Sequence, residues 1–221
     1  TAAGGLPYRR LLIDRPGSIE DLRISDATTD PLRPDQVRIG VRAFSLNFSD
    51  LLSLKGLYPN MPPYPFTPGV EASGLVLEVG GAVASLRPGD EVVCLAQACH
   101  ASIVTCAEDT VLPKPAGISF EEACALPVVG LTMLEAFDKA EPQPGERILI
   151  QTAAGGTGLI AVQLARRAGA EIIATAGSQR KLDYLRDLGV PHLVNYRESD
   201  FEAEVMRLTG GRGVDVVINT L

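Results

Sequence analysis

Residues 147–158 run Arg-Ile-Leu-Ile-Gln-Thr-Ala-Ala-Gly-Gly-Thr-Gly, an apolar stretch that breaks into small residues and glycines, and Leu159–Gly169 follows with helical spacing. A strand, a glycine-rich turn and a helix start in this order can cradle a pyrophosphate, because free backbone N–H groups and the positive end of the helix point at the anion. Ala154, Gly155, Gly156, Thr157 and Gly158 are therefore candidate cofactor-binding residues. A bound dinucleotide would carry the hard chemistry. The pattern departs from G-x-G-x-x-G, and a plain surface turn is the competing reading. The strand before the turn and the helix after it favour the phosphate cradle.

Cofactor choice is read after the next strand, Glu171–Ala176. NAD-preferring sites place an acidic residue there to grip the ribose hydroxyls. Here the chain continues Ala176-Gly177-Ser178-Gln179-Arg180-Lys181, with two cations, a hydroxyl and no carboxylate. A 2′-phosphate would be welcome there, so NADPH is the expected cofactor, with Ser178 adding a short hydrogen bond. The alternative for Arg180 and Lys181 is a solvated helix start.

The cysteines, Cys94, Cys99, Cys106 and Cys124, match no zinc spacing, and His100 and His192 are too scattered to complete a site. The expectation is four free, mostly buried thiols, no metal and a reducing, cytoplasmic setting. The net charge of −7 and the absence of a basic patch argue against nucleic acid as a partner. The longest apolar runs are far too short for a bilayer. The first residues, Thr-Ala-Ala-Gly-Gly-Leu, are unlike a signal peptide and resemble an inter-domain linker.

The elements that must position these groups fall into two parts. Residues 1–127 are expected to form a β-rich domain, with alternating stretches at 8–14, 36–43, 74–79, 91–95 and 101–105. Pro/Gly turns such as Arg87-Pro88-Gly89-Asp90 separate them. Such turns suit a small barrel-like domain. A helical patch covers 49–55, and Ser119 caps a second helix at 119–125. Residues 128–221 are expected to alternate strands at 147–152, 171–176, 192–196 and 214–218 with helices at 158–168, 179–188 and 200–209. That order implies a parallel, doubly wound sheet. Four strands are the first part of a sheet that normally has six, so this reading takes the dinucleotide-binding domain as truncated after its fourth strand.

Several motifs now stand in order: Leu46-Asn47-Phe48-Ser49-Asp50, Gly56-Leu57-Tyr58-Pro59, Phe66-Thr67-Pro68-Gly69-Val70-Glu71, Arg87-Pro88-Gly89-Asp90, Leu126-Pro127 before Leu131-Thr132, and the Ala-Ala-Gly-Gly-Thr-Gly turn. This set resembles the zinc-free medium-chain dehydrogenase/reductase superfamily. Within it the chain is most similar to polyketide synthase enoylreductase domains, with quinone oxidoreductases as relatives. The resemblance covers about residues 8–221. It implies an α/β fold of a GroES-like β-barrel domain and a Rossmann-type domain. It also implies NADPH-dependent reduction of an enoyl thioester carried by an acyl carrier protein, beside other polyketide synthase domains.

The resemblance further implies roles for single residues. Tyr58 stands where a tyrosine is associated with protonation of the α-carbon; packing beside Tyr64 and Phe66 is its alternative. Asn47 and Thr132 would lie near the nicotinamide, with a helix cap as the alternative for Thr132. Lys181 and Tyr196 match residues that hold the 2′-phosphate. Glu71 is expected in internal hydrogen bonding and Asp50 as a surface charge. Zinc-dependent relatives carry a cysteine where Asn47 stands and a histidine where Val70 stands, and a catalytic zinc needs three protein ligands. A quinone oxidoreductase, a cyclopropane-forming relative and a non-catalytic cofactor-binding scaffold are the competing functions, since one fold hosts many reactions.

Overall fold

The computed structural model describes residues 5–59 and 61–219, and the chain divides into two compact units, Thr1–Val128 and Val129–Leu221. In the first, β1 (Pro7–Leu12) and β2 (Arg23–Thr28) form an antiparallel pair. A five-stranded antiparallel sheet follows, built from β3 (Gln36–Phe44), β4 (Glu71–Val79), β5 (Glu91–Leu95), β6 (Ile103–Ala107) and β7 (Val111–Pro113) in the order β6-β3-β4-β5-β7. Its inward positions, among them Val37, Ile39, Val76, Val92 and Val104, make the core of this unit. Two short helices, α1 (Phe48–Leu54) and α2 (Phe120–Cys124), complete it.

Local chemistry explains several of these elements. At Arg87–Asp90 the Asp90 carboxylate accepts from the Arg87 N–H at 2.8 Å, and Gly89 takes the positive φ of +96° that the turn into β5 requires. Ser119 caps α2: its hydroxyl accepts from the Glu122 N–H at 3.1 Å, and the Glu122 carboxylate accepts from the Ser119 N–H at 2.8 Å.

The second unit holds four parallel strands, β8 (Arg147–Ile150), β9 (Glu171–Ala176), β10 (His192–Asn195) and β11 (Val216–Ile218), in the order β10-β9-β8-β11. Helices α4 (Gly156–Arg167), α5 (Gln179–Asp187) and α6 (Phe201–Leu208) follow the first three strands, and α3 (Pro127–Ala140) precedes β8. Alternate strand residues feed two separate clusters. Ile148, Ile150, Ile172 and Ala174 pack with Ala161, Val162, Leu182 and Leu185 of α4 and α5. Leu149, Ile173 and Val194 pack with Val205 of α6. Both faces of the sheet are therefore covered, as a parallel sheet requires. The GroES-like antiparallel sheet and the Rossmann-type sheet match the fold expected from the resemblance, with the first unit a curled half-barrel sheet.

Two strands and one α-helix among the described residues were not expected from sequence. β2 reads Arg-Ile-Ser-Asp-Ala-Thr and has no buried residue, so it carries no apolar alternation. β7 is three residues long and ends at Pro113. α3 opens on Pro127, favoured in a helix's first turn, but continues with Val128, Val129 and Gly130, which are weak helix formers. Element limits also move. β6 starts at Ile103 rather than 101, because residues 100–102 pair with β1: the Leu11 N–H donates to the His100 carbonyl at 2.9 Å and the Ser102 N–H to that of Arg9 at 2.8 Å. β8 ends at Ile150 because Thr152 turns the chain at a φ of +47°. Among the described residues no helix is long and apolar enough to cross a membrane.

Candidate functional site

In the second unit the glycine turn lies at the carboxyl end of β8. From this strand the chain winds outward through β9 and β10 and then returns to its other side at β11, so the strand order reverses here, the point where open α/β sheets bind ligands. Gly155 is the N-cap of α4, and Gly156, Thr157 and Gly158 form its first turn. Helix α4 thus begins two residues earlier than expected. The N–H groups of that turn have no carbonyl one turn earlier to bond, which leaves them for an anion. Gly158 is required sterically: a Cβ there would stand 2.6 Å from the Ala153 Cα and 2.7 Å from its carbonyl oxygen. Ala153 is buried, with its N–H held by the Thr175 carbonyl at 2.9 Å, so this backbone cannot retreat.

A second group gathers at the carboxyl end of β9. Ser178 is the N-cap of α5 in extended conformation, with no capping hydrogen bond from its side chain. Lys181 lies in the first turn of α5, which holds no acidic residue. Tyr196 follows β10, and its hydroxyl sits against Gly177, where an added Cβ would meet it at 2.5 Å. The tertiary structure therefore brings Ser178, Lys181 and Tyr196 to one strand end, as the phosphate reading requires. Thr132 is the sixth residue of α3, inside the helix, so it is not a helix cap.

The first unit holds a cleft of about 610 Å³ whose lining includes Tyr58, Ser49, Val70, Gln97 and Val128. Tyr58 is 40% exposed and lines this cleft, while Tyr64 and Phe66 form a ring pair with each other at 5.2 Å. A polar frame is centred on Glu71, the residue after Val70 of the cleft lining, which is 1% exposed. One Glu71 carboxylate oxygen accepts from the Ser45 hydroxyl and, at 2.9 Å, from the Asn47 amide; the other accepts from the Val128 N–H at 2.7 Å. The Asn47 amide also donates to the Ser45 hydroxyl at 3.0 Å.

Asp50 is not the surface charge expected from sequence. Its side chain is 13% exposed and accepts from the Asn47 N–H at 2.8 Å and the Gly69 N–H at 3.2 Å. Ser45 and His100 were not anticipated. The His100 Nε2 donates to the Ser45 carbonyl at 3.0 Å, and its ring lies 4.5 Å from that of Phe44. The sequence signal for this packing was Gly69, whose φ is +94° and where a Cβ would collide with the His100 ring.

Asn47 and Val70 stand where the resemblance led us to expect no zinc ligand, and both carboxylate oxygens of Glu71 already accept hydrogen bonds. Among the described residues no group of three His, Cys, Asp or Glu side chains could hold a metal. All four thiols are free and buried. The Cys94 thiol is pushed up to about 12: its hydrogen bond with Cys106 pulls it down, but that with Cys99 and burial outweigh this. The hydrogen bond with Cys94, and then burial, push Cys106 up as well. Such thiols stay protonated at neutral pH and are poor ligands and nucleophiles.

The alcohol dehydrogenase GroES-like domain matches residues 33–134, and the zinc-binding dehydrogenase domain matches residues 156–221. The chain is 43% identical over 213 residues to the pikromycin polyketide synthase component PikAII of Streptomyces venezuelae, covering 93% of this chain and 6% of that protein. It thus spans a small fraction of the curated relatives it matches. Among solved structures it resembles the CurK enoyl reductase, with 39% identity and a TM-score of 0.91, covering 97% of this chain and 67% of that one. It also resembles the Escherichia coli quinone oxidoreductase complexed with NADPH, with 35% identity and a TM-score of 0.88, covering 96% and 65% of the two chains. The chain belongs to the medium-chain dehydrogenase/reductase superfamily, and within it to the polyketide synthase enoylreductase domains.

Proposed function

We propose that this chain acts in the NADPH-dependent, zinc-independent reduction of the 2,3-double bond of an enoyl thioester borne by an acyl carrier protein, within a polyketide synthase. The observation that carries this reading is the gathering of anion-binding groups at the carboxyl ends of β8 and β9. The first turn of α4 offers its N–H groups to the pyrophosphate, while Ser178, Lys181 and Tyr196 offer donors to a 2′-phosphate without an opposing carboxylate. The nicotinamide would supply a hydride to the β-carbon. Electron density then moves to the thioester oxygen, and the α-carbon takes a proton.

Tyr58 is the proposed proton donor: its side chain lines the cleft of the first unit and is exposed enough to be reprotonated from solvent. Asn47 is proposed to act beside the nicotinamide by positioning, because its amide N–H groups are committed to Ser45 and Glu71. Thr132, on α3, is the remaining proposed neighbour of the nicotinamide.

The test uses the intact polypeptide that carries this chain, mixed with NADPH and a crotonyl thioester while cofactor oxidation is followed. Brisk oxidation with NADPH and not NADH supports the reading. Likeness to a quinone oxidoreductase makes quinone reduction the second reading. Rapid turnover of a quinone with no thioester reduction would move the function there, and NADPH binding without turnover of either would leave a scaffold.

A further inference from the structure

Among the described residues two buried side-chain polar atoms have no hydrogen-bond partner, Arg10 Nε and Thr67 Oγ1. Both residues line one cavity of about 360 Å³ in the first unit. Native interiors leave few buried polar groups unpaired, and each is costly, so two on residues that line one cavity mark a place for a polar occupant.

The positions of the two residues are set by backbone pairing. Arg10 lies on β1, pairs with Ser25 of β2 and bridges to Ala101 on its other side. Beyond β1, Ile13 exchanges two backbone hydrogen bonds with Phe66, at 2.9 and 3.1 Å, which fixes Thr67 as the next residue. Thr67 is only 9% exposed. Arg33 adds a second cation to the lining, and Asp30 is its single carboxylate. A guanidinium can only donate, and a threonine hydroxyl donates readily, so the complementary occupant is an acceptor. The volume far exceeds the roughly 30 Å³ share of one water molecule.

We propose that this cavity binds a small oxyanion, a phosphate or a carboxylate, with the Arg10 guanidinium and the Thr67 hydroxyl as its inner donors. The site is separate from the phosphate-binding groups proposed for the second unit and does not depend on them.

The intact polypeptide that carries this chain is titrated by calorimetry with inorganic phosphate and, separately, with succinate. NADPH is kept saturating so that the anion does not report on Lys181, and the titration is repeated in Lys181→Ala without NADPH. Saturable binding of at least one anion is expected, weakened by about tenfold or more in both Thr67→Val and Arg10→Gln. Which anion binds identifies the source, and a crystal grown with it should place an oxygen on both donors. No saturable binding of either anion, equal binding in the variants, or water alone at both atoms overturns the proposal. Thr67→Val is nearly isosteric and decides the question should Arg10→Gln fail to fold.

Discussion

The hydroxyl of Tyr196 rests against Gly177, the residue that ends β9's run into α5, so closely that a Cβ on Gly177 would stand 2.5 Å from the phenolic oxygen. The pair couples the β9–α5 turn to the segment after β10. Gly177→Ala should therefore displace Tyr196, the far end of a side chain that can move, at little cost in stability. The expected result is a thermal midpoint within a few degrees of wild type and NADPH affinity lowered about tenfold. Gly158→Ala should behave oppositely. Its Cβ meets the Ala153 backbone, which cannot yield, so unfolding should be easier by on the order of 1–3 kcal/mol, in the range for overpacking. Denaturant titrations of both variants, beside cofactor titrations, check the contrast.

Lys181→Ala should weaken NADPH by roughly tenfold or more, as expected for losing a charge-assisted hydrogen bond to phosphate, and leave NADH nearly unchanged. Fluorescence titration with both cofactors at two ionic strengths measures it. Equal losses for the two cofactors would place Lys181 outside a 2′-phosphate site.

Glu71→Gln replaces one acceptor oxygen of a buried carboxylate by a donor, facing either the Val128 N–H or the donors of Ser45 and Asn47. A buried donor then meets a donor, and the loss should be about 2 kcal/mol in a urea unfolding experiment. Glu71→Asp, which keeps the charge on a shorter arm, should lose less.

Tyr58→Phe should leave NADPH affinity intact while lowering turnover of the enoyl thioester or altering the configuration at an α-methyl branch. Kinetics with a crotonyl thioester and chiral analysis of an α-methyl product test this. Unchanged rate and unchanged configuration would remove Tyr58 from the proton transfer.

Glu171 at the start of β9 accepts from the Arg147 guanidinium at 2.8 Å and lies 2.9 Å from the His192 Nε2. The Arg147 hydrogen bond first, and then His192, hold its carboxyl below the ordinary range of about 4.3. A depressed carboxyl contributes stability above its unfolded pKa and loses it as pH falls through the folded value. Glu171→Gln should therefore lower the thermal midpoint at pH 7 and have little effect near pH 2–3, measured by scanning calorimetry across that range.

The alternation of apolar strands and amphipathic helices after Arg147 already determined a parallel sheet, because burial on both faces leaves a local signature in each element. The glycine turn was legible for the same reason: small residues between a strand and a helix state their backbone need directly. The absence of a carboxylate after β9 was likewise a property of six consecutive residues. β2, β7 and α3 escaped notice because their stability comes from neighbours, not from their own pattern. The Asp50, Ser45, Glu71 and His100 frame was decided only in three dimensions. Asp50 and His100 stand far apart in sequence, and a short acidic side chain in the first turn of a helix looks the same whether it meets water or the Gly69 N–H. The approach of Tyr196 to Gly177, and the presence of Arg10 and Thr67 on the lining of one cavity, likewise depend on which strands pair and which helices pack on the sheet. Those contacts arise from long-range burial, a term no local stretch of residues expresses.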